Sequence, residues 1–176
     1  MKITDVRTHL IDQYMFVQVD TDEGISGVGE SGAWAFLEAS KEAVETFKRY
    51  LIGQDPLLIE HHWQYMYRCY HFRGAAIMGA LSAIDIALWD IKGRYYGVPC
   101  YELLGGKVRH KARVYYHVFG SSGEELIQGC KEAKARGFKA VGHLTPFVDS
   151  DRREVMKMES FATKISNAAE RVYQYR

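Results

Sequence analysis

The chain has 176 residues, 47% hydrophobic and 26% charged, which excludes a disordered polypeptide and fits an ordinary globular one. Lys and Arg total 23 against 22 for Asp and Glu, a formal net charge of +1, so no bulk attraction to nucleic acid or to an anionic membrane is expected. Without an uncharged run of membrane-spanning length, and with Cys69, Cys100 and Cys130 forming no CxxC pair, the sequence predicts a cytoplasmic protein with reduced thiols.

Ile3 to Ile11 is rich in β-branched residues and predicts a strand, and Met15 to Val19 predicts a second after a short polar interruption. Asp22-Glu23-Gly24 is a turn signal, and Ile25 to Glu30 reads as a third strand, so the start of the chain predicts a three-stranded antiparallel meander. Gly27-Val28-Gly29 lacks the third glycine and the helix start of a dinucleotide fingerprint and is read as strand and turn.

Helices follow. Leu37, Val44, Phe47 and Leu51 fall near helical spacing between Trp34 and Leu51, and Gly53 ends that segment. Asp55-Pro56 reads as an N-cap and first-turn proline opening a second helix, whose stripe is Ile59, Trp63, Met66 and Tyr70. His61 and His62, beside Glu60, lack the i, i+4 pairing of a zinc helix and are read as a solvated face. The third helix, about Ala75 to Tyr96, is the most apolar segment; its Gly79, Ala80, Ala83 and Ala87 are small enough to let another backbone approach, and Gly97-Val98-Pro99 ends it. Tyr101 to Leu104 predicts one short helical turn closing on Gly105-Gly106.

After Arg109 the pattern changes. Val114 to Phe119 is an apolar run of strand length, Ser122-Gly123-Glu124-Glu125 has capping-box spacing, and Leu126, Ile127, Cys130 and Ala133 form a helix stripe. Gly137 is the expected C-cap, and Phe138 to Leu144 is a second strand. Strand, helix and strand in so few residues is a βαβ unit with parallel strands and a right-handed crossover. Val155, Met158, Ala162, Ile165, Ala169 and Val172 give a further amphipathic helix. Two parallel strands need cover on both faces, so a partner or further chain is expected to complete them.

Several strings carry a family resemblance: Leu51-Ile52-Gly53-Gln54-Asp55-Pro56, Trp63 to Arg68, Phe72-Arg73-Gly74, and above all Ala83-Ile84-Asp85-Ile86-Ala87-Leu88-Trp89-Asp90-Ile91-Lys92-Gly93, followed by Gly97-Val98-Pro99 and Leu103-Leu104-Gly105-Gly106. The opening Met1-Lys2-Ile3-Thr4, Thr21 to Gly24 and Gly29-Glu30 match in the same order. The chain resembles the galactonate dehydratase branch of the mandelate racemase subgroup of the enolase superfamily. The resemblance implies an α+β capping domain, a three-stranded antiparallel meander plus helices over residues 1–112. An incomplete α/β, TIM-type barrel segment of two β-α units over residues 113–176 would follow it. It further implies a magnesium-dependent acid-sugar dehydratase, which removes the proton next to a carboxylate and expels the β-hydroxyl. The family's magnesium carboxylates and catalytic His lie on later barrel strands, so the metal ligands are expected to fall beyond Arg176 and the chain alone to be inactive.

The same resemblance suggests substrate-binding residues. Arg73, between a predicted helix and Gly74, could face a substrate carboxylate or hydroxyl; the plainer reading is a surface Arg, or one paired with Asp85 or Asp90. Relatives continue Arg-Gly with Gly-Pro, whereas Ala75-Ala76 stands here. Glu30, Ser31 and Trp34 follow the third strand, where a capping domain can face a barrel mouth. Trp34 also suits a core or rim aromatic, and Glu30 could cap the following helix. His143 is the weak catalytic candidate. Relatives carry Lys-x-Lys, or Lys followed two residues on by Asn, at inward positions of that strand; Gly142 and Leu144 occupy them here, which turns His143 outward.

Three functions remain open: a portion of a sugar-acid dehydratase, a non-catalytic capping module that binds a sugar acid weakly, or a homo-oligomer whose incomplete barrels complete one another. The apolar run after Val114 and the stripe to Val172 would otherwise lie exposed.

Overall fold

The computed structural model of the chain describes residues 1–142, 144–148 and 160–174. It divides into two compact units, Met1–Val108 and Arg109–Arg176.

In the first unit β1 (Ile3–Ile11), β2 (Tyr14–Thr21) and β3 (Ser26–Ser31) form an antiparallel sheet in the order β1-β2-β3. Alternation fixes its faces: Met15, Val17, Val19 and Thr21 of β2 are buried, while Phe16, Gln18 and Asp20 point the other way. The register shifts between Ile3 and Asp5, which lets Ile3 and Val6 both face the core although they lie three residues apart.

Three helices cover the inner face: α1 (Leu37–Leu51), α2 (Ile59–Arg68) and α3 (Ala75–Tyr96). Val44, Phe47 and Leu51 of α1, Ile59 and Met66 of α2, and Leu81, Ile84, Leu88 and Ile91 of α3 join the strands in one buried cluster. Helix α3 ends as its sequence predicts. Gly97 takes φ 67°, its N–H donates to the Arg94 carbonyl and the Val98 N–H to the Gly93 carbonyl, the pattern of a Schellman cap. A single turn, α4 (Cys100–Leu103), follows.

The second helix departs from its expected start. Asp55 does not cap it: the Asp55 carboxylate accepts from the Leu57 N–H at 2.9 Å and the Asp55 carbonyl from Leu58, closing a separate turn. The helix begins at Ile59, and its N-cap residue, Leu58, makes no side-chain hydrogen bond. The short polar side chain satisfied the nearest orphan N–H, which belonged to a turn.

In the second unit β4 (Tyr116–His117) and β5 (Val141–Gly142) pair in parallel, with α5 (Gly123–Ala135) between them in sequence and α6 (Phe161–Gln174) after them. Among the described residues two of each expected strand are paired, Tyr116 with Val141 and His117 with Gly142. The predicted cap is present: Ser122 Oγ accepts from the Glu125 N–H at 3.2 Å, and the Glu125 carboxylate reaches back to the Ser121 N–H at 2.6 Å. Gly137, with φ 88°, ends α5. No residue of α6 is buried; His143, Val155 and Met158 lie outside the described residues.

Candidate functional site

The position of the expected site follows from how β3 lies on α3. A Cβ built on Gly27 would sit 2.1 Å from the Ala87 carbonyl oxygen, one on Gly29 2.0 Å from that of Ala83, and one on Gly79 2.6 Å from Ser31 Oγ. Residues 27, 29 and 31 of the strand therefore meet 87, 83 and 79 of the helix. Two strand residues advance about 6.6 Å and four helical residues about 6 Å, so the two elements stay in step, running antiparallel. The end of β3 consequently lies at the beginning of α3. The loop after β3 (residues 32–36) and the loop before α3 (residues 69–74) open at the same end of the unit.

The β1–β2 turn joins them there. Asp12 adopts φ 52° and Ala35 φ 68°, two non-glycine residues in the left-handed region, one in each of two neighbouring loops. Tyr14 stands edge-on to Trp34, ring centroids 6.4 Å apart, and the Gln13 side-chain amide donates to the Tyr14 hydroxyl at 3.1 Å. Trp34 is 60% exposed, so it is a surface aromatic rather than a core one. Sequence reasoning missed Tyr14: nothing in its local pattern marks it, and only the strand pairing of Met15 with Ser31 brings it near the later loop.

Arg73 closes on its own loop. Its Nε donates to the Tyr67 carbonyl at 2.8 Å, its Nη1 to the His71 carbonyl at 3.1 Å, and its guanidinium carbon lies 4.2 Å from the Tyr67 ring centroid. It pairs with neither Asp85 nor Asp90; Asp90 instead accepts from the Val28 N–H and from Arg94. Glu30 is exposed on the opposite sheet face from Gly29 and Ser31, cross-strand from Phe16. It does not cap α1, whose first turn begins at Leu37 without a side-chain cap. Arg73 and Trp34 thus share one end of the unit, whereas Glu30 points to the outer sheet face.

His62 is a second correction. It is fully buried rather than solvated, with Nδ1 2.9 Å from the Tyr50 hydroxyl and Nε2 2.8 Å from the Asp55 carbonyl. A carbonyl only accepts, so Nε2 carries the proton and Nδ1 accepts from Tyr50. Burial pushes its pKa below the ordinary value, and the same cause raises that of Tyr50, which stacks on Tyr65. The half-buried Asp85 carboxyl is raised by desolvation, with Glu60 adding to it. The signal that could have found His62 is the i, i+3, i+4 spacing of Ile59, His62, Trp63 and Met66.

A cavity of about 560 Å³ lies between α1, Met66 and the segment from Tyr70 to Ile77, with Glu42 and Arg49 at its edge. Its walls are largely apolar, including Phe47, Met66, Phe72 and Ile77, so it offers few donors to a polyhydroxylated acid. None of Glu30, Trp34 or Arg73 lines it. Among the described residues no cluster of three His, Cys, Asp or Glu side chains could hold a metal ion, so the donor set for magnesium is not found there. No helix among them is long and apolar enough to cross a membrane.

This architecture, a three-stranded antiparallel sheet backed by helices and followed by β-α elements, is that of an enolase-type capping domain. The chain belongs to the mandelate racemase / muconate lactonizing enzyme family, whose N-terminal domain model matches residues 2–105. It is 48% identical over 140 residues to the D-galactonate dehydratase of Ralstonia pickettii, covering 78% of this chain and 37% of that one. It is 46% identical, with the same coverage, to the D-galactonate dehydratase of Pectobacterium atrosepticum. The chain spans 37% of the length of these curated relatives. Among solved structures, an enolase from Pantoea ananatis with bound D-gluconate and magnesium is 35% identical with a TM-score of 0.74, covering 80% of this chain and 35% of that one. An enolase from Agrobacterium radiobacter with bound sodium and L-malate is 27% identical with a TM-score of 0.85, covering all of this chain and 45% of that one.

Proposed function

We propose that this chain is the N-terminal portion of an acid-sugar dehydratase acting on an aldonate of the galactonate type. The proton next to the carboxylate is removed, the hydroxyl on the adjacent carbon leaves with its electron pair, and the product is a 2-keto-3-deoxy acid. The observation that supports this reading is the 48% identity to a D-galactonate dehydratase over 140 residues. The described residues contribute recognition and shielding: Trp34 and Tyr14 wall off solvent, and Arg73, released from its own loop, offers N–H donors to a carboxylate or hydroxyl. Glu30, on the outer sheet face, would act on a substrate only where that face meets one. Magnesium, which the Pantoea relative binds, would be held by residues other than those described. The 176 residues alone then do not turn over an aldonate, and the whole protein works in the cytoplasm as a homo-oligomer. Residues 1–112 form the capping domain in this reading, and residues 113–176 open the barrel.

A chimaera tests it. Residues 1–108, grafted in place of the capping domain of the Ralstonia pickettii D-galactonate dehydratase, should retain magnesium-dependent dehydration of D-galactonate. Arg73→Ala in that chimaera should lower kcat/KM about tenfold or more, the loss of one charge-assisted contact. A folded chimaera that dehydrates no aldonate would sink the reading.

A further inference from the structure

The most one-sided stretch of the sequence runs from Lys107 to Arg113, where Lys107, Arg109, Lys111 and Arg113 surround His110 and no Asp or Glu occurs between Glu102 and Glu124. Its last cation meets a second set in the folded unit. Arg113 and Val114, with Arg136, Gly137, Phe138 and Lys139, line a cavity of about 640 Å³, within the size range of small-molecule sites. Among the described residues that line it, three are cations and none is a carboxylate. Every ion pair among the described residues lies between Met1 and Arg94, so none neutralises Arg113, Arg136 or Lys139.

Arg136 is held in place rather than trailing in solvent. Its guanidinium carbon lies 4.7 Å from the Tyr116 ring centroid and 5.5 Å from that of Phe138, and Nη1 donates to the Tyr116 hydroxyl at 2.8 Å. That bond uses one of the five N–H donors of a guanidinium, and the rings fix the plane of the others. The surrounding chain explains the convergence: residues 113–114 lead into β4 and residues 137–139 into β5, so the cavity lies at the N-terminal ends of two parallel strands. Barrel enzymes leave that end to stability rather than chemistry. Three like charges around one cavity oppose stability, and an anion would offset their repulsion.

We infer that this cavity binds a small polyanion, a ligand with two or more oxyanion groups such as a phosphate ester, pyrophosphate or polycarboxylate. Arg136 forms the planar clamp, and Arg113 and Lys139 supply the remaining positive charge. The inference does not depend on the dehydratase reading, because no residue of the rim takes part.

The test is calorimetric titration of the full chain with pyrophosphate and, separately, with citrate, alongside amide chemical shifts. Saturable binding of either, with shifts confined to residues 113–116 and 136–139, is the expected result. Pyrophosphate binding much the tighter identifies a phosphate-type ligand; equal binding identifies a site that reads charge alone. Arg136→Met should weaken binding about tenfold, and Arg136→Lys, which keeps charge and fold but loses the planar fork, should weaken it by a smaller factor. Lys41→Gln, a cation on α1, should leave it unchanged. Equal weakening by Lys41→Gln and Arg136→Met, or no saturable binding of either anion, overturns the proposal.

Discussion

Gly27 and Gly29 are the residues on which the approach of β3 to α3 depends. Their missing Cβ atoms would fall 2.1 and 2.0 Å from backbone carbonyl oxygens of Ala87 and Ala83, and a helix backbone in a packed core cannot give by the ångström required. Gly29→Ala should therefore destabilise the first unit by at least about 2 kcal/mol in urea unfolding. Gly32→Ala, where a Cβ meets nothing within 4 Å, should change stability by less than about 0.5 kcal/mol. Similar losses in the two variants would refute the close-approach account. His62 makes the second residue-scale prediction. Its folded pKa lies below that of the unfolded chain, about 6.5, so its contribution to stability is complete above that value. As the pH falls below it, the unfolded state takes up the proton first, and stability declines until the folded pKa is passed. Unfolding free energies measured at about pH 7.5 and about pH 5.5 should differ more for the native protein than for His62→Gln. Parallel pH dependences would show that burial of the ring is not what couples stability to pH. The absence of metal-ligand spacing in His61-His62 says nothing about which of the two faces solvent. Their helical phase would have put one of them inside.

At the scale of elements, legibility followed the density of local signals. Helix α3 could be bounded at Ala75 and Tyr96 because a long apolar run ends in Gly97, and the left-handed conformation there is one that glycine adopts without strain. The meander was equally plain, since alternation and the Asp22-Glu23-Gly24 turn agree. The run from Val114 to Phe119 has the composition of a full strand, yet among the described residues the paired strand is Tyr116–His117. Parallel strands are held by neighbours on both sides, which composition cannot supply. The start of α2 differs from the sequence expectation because Asp-Pro suits a turn as well as a helix start. The rim was half legible: loop positions after β3 and before α3 follow from element order, whereas the Tyr14–Trp34 contact depends on strand register. Helix α5 offers a local test. Ser122→Ala removes the hydroxyl that accepts from Glu125 and should cost about 1 kcal/mol. Ser122→Asp should recover most of that, and hydrogen exchange across residues 123–127 reads the change. An exchange pattern unmoved by Ser122→Ala would mean that the cap bond contributes nothing.

Across the whole chain the buried apolar residues are unevenly shared. The main core cluster runs from Ile3 to Ile91 and includes fully buried Val6, Val17, Leu51, Leu81, Ile84 and Leu88. Among the described residues beyond Val108 the buried hydrophobic ones are Val118, Leu126 and Ala133, and α6 exposes Phe161, Ile165 and Tyr173 by 65% or more. Since burial of apolar surface is the dominant favourable term, the first unit holds most of the stabilising free energy and the second is marginal alone. Residues 1–108 expressed separately should unfold in one cooperative transition, with near-ultraviolet dichroism from Trp34, Trp63 and Trp89 retained. The full chain should show that same transition preceded by a weaker one at lower denaturant, reported by amide protection in α5. A single transition in which α5 and α3 lose protection together would show that the two units fold as one. A fragment 1–108 lacking fixed aromatic dichroism would show that the core cluster needs the second unit to form.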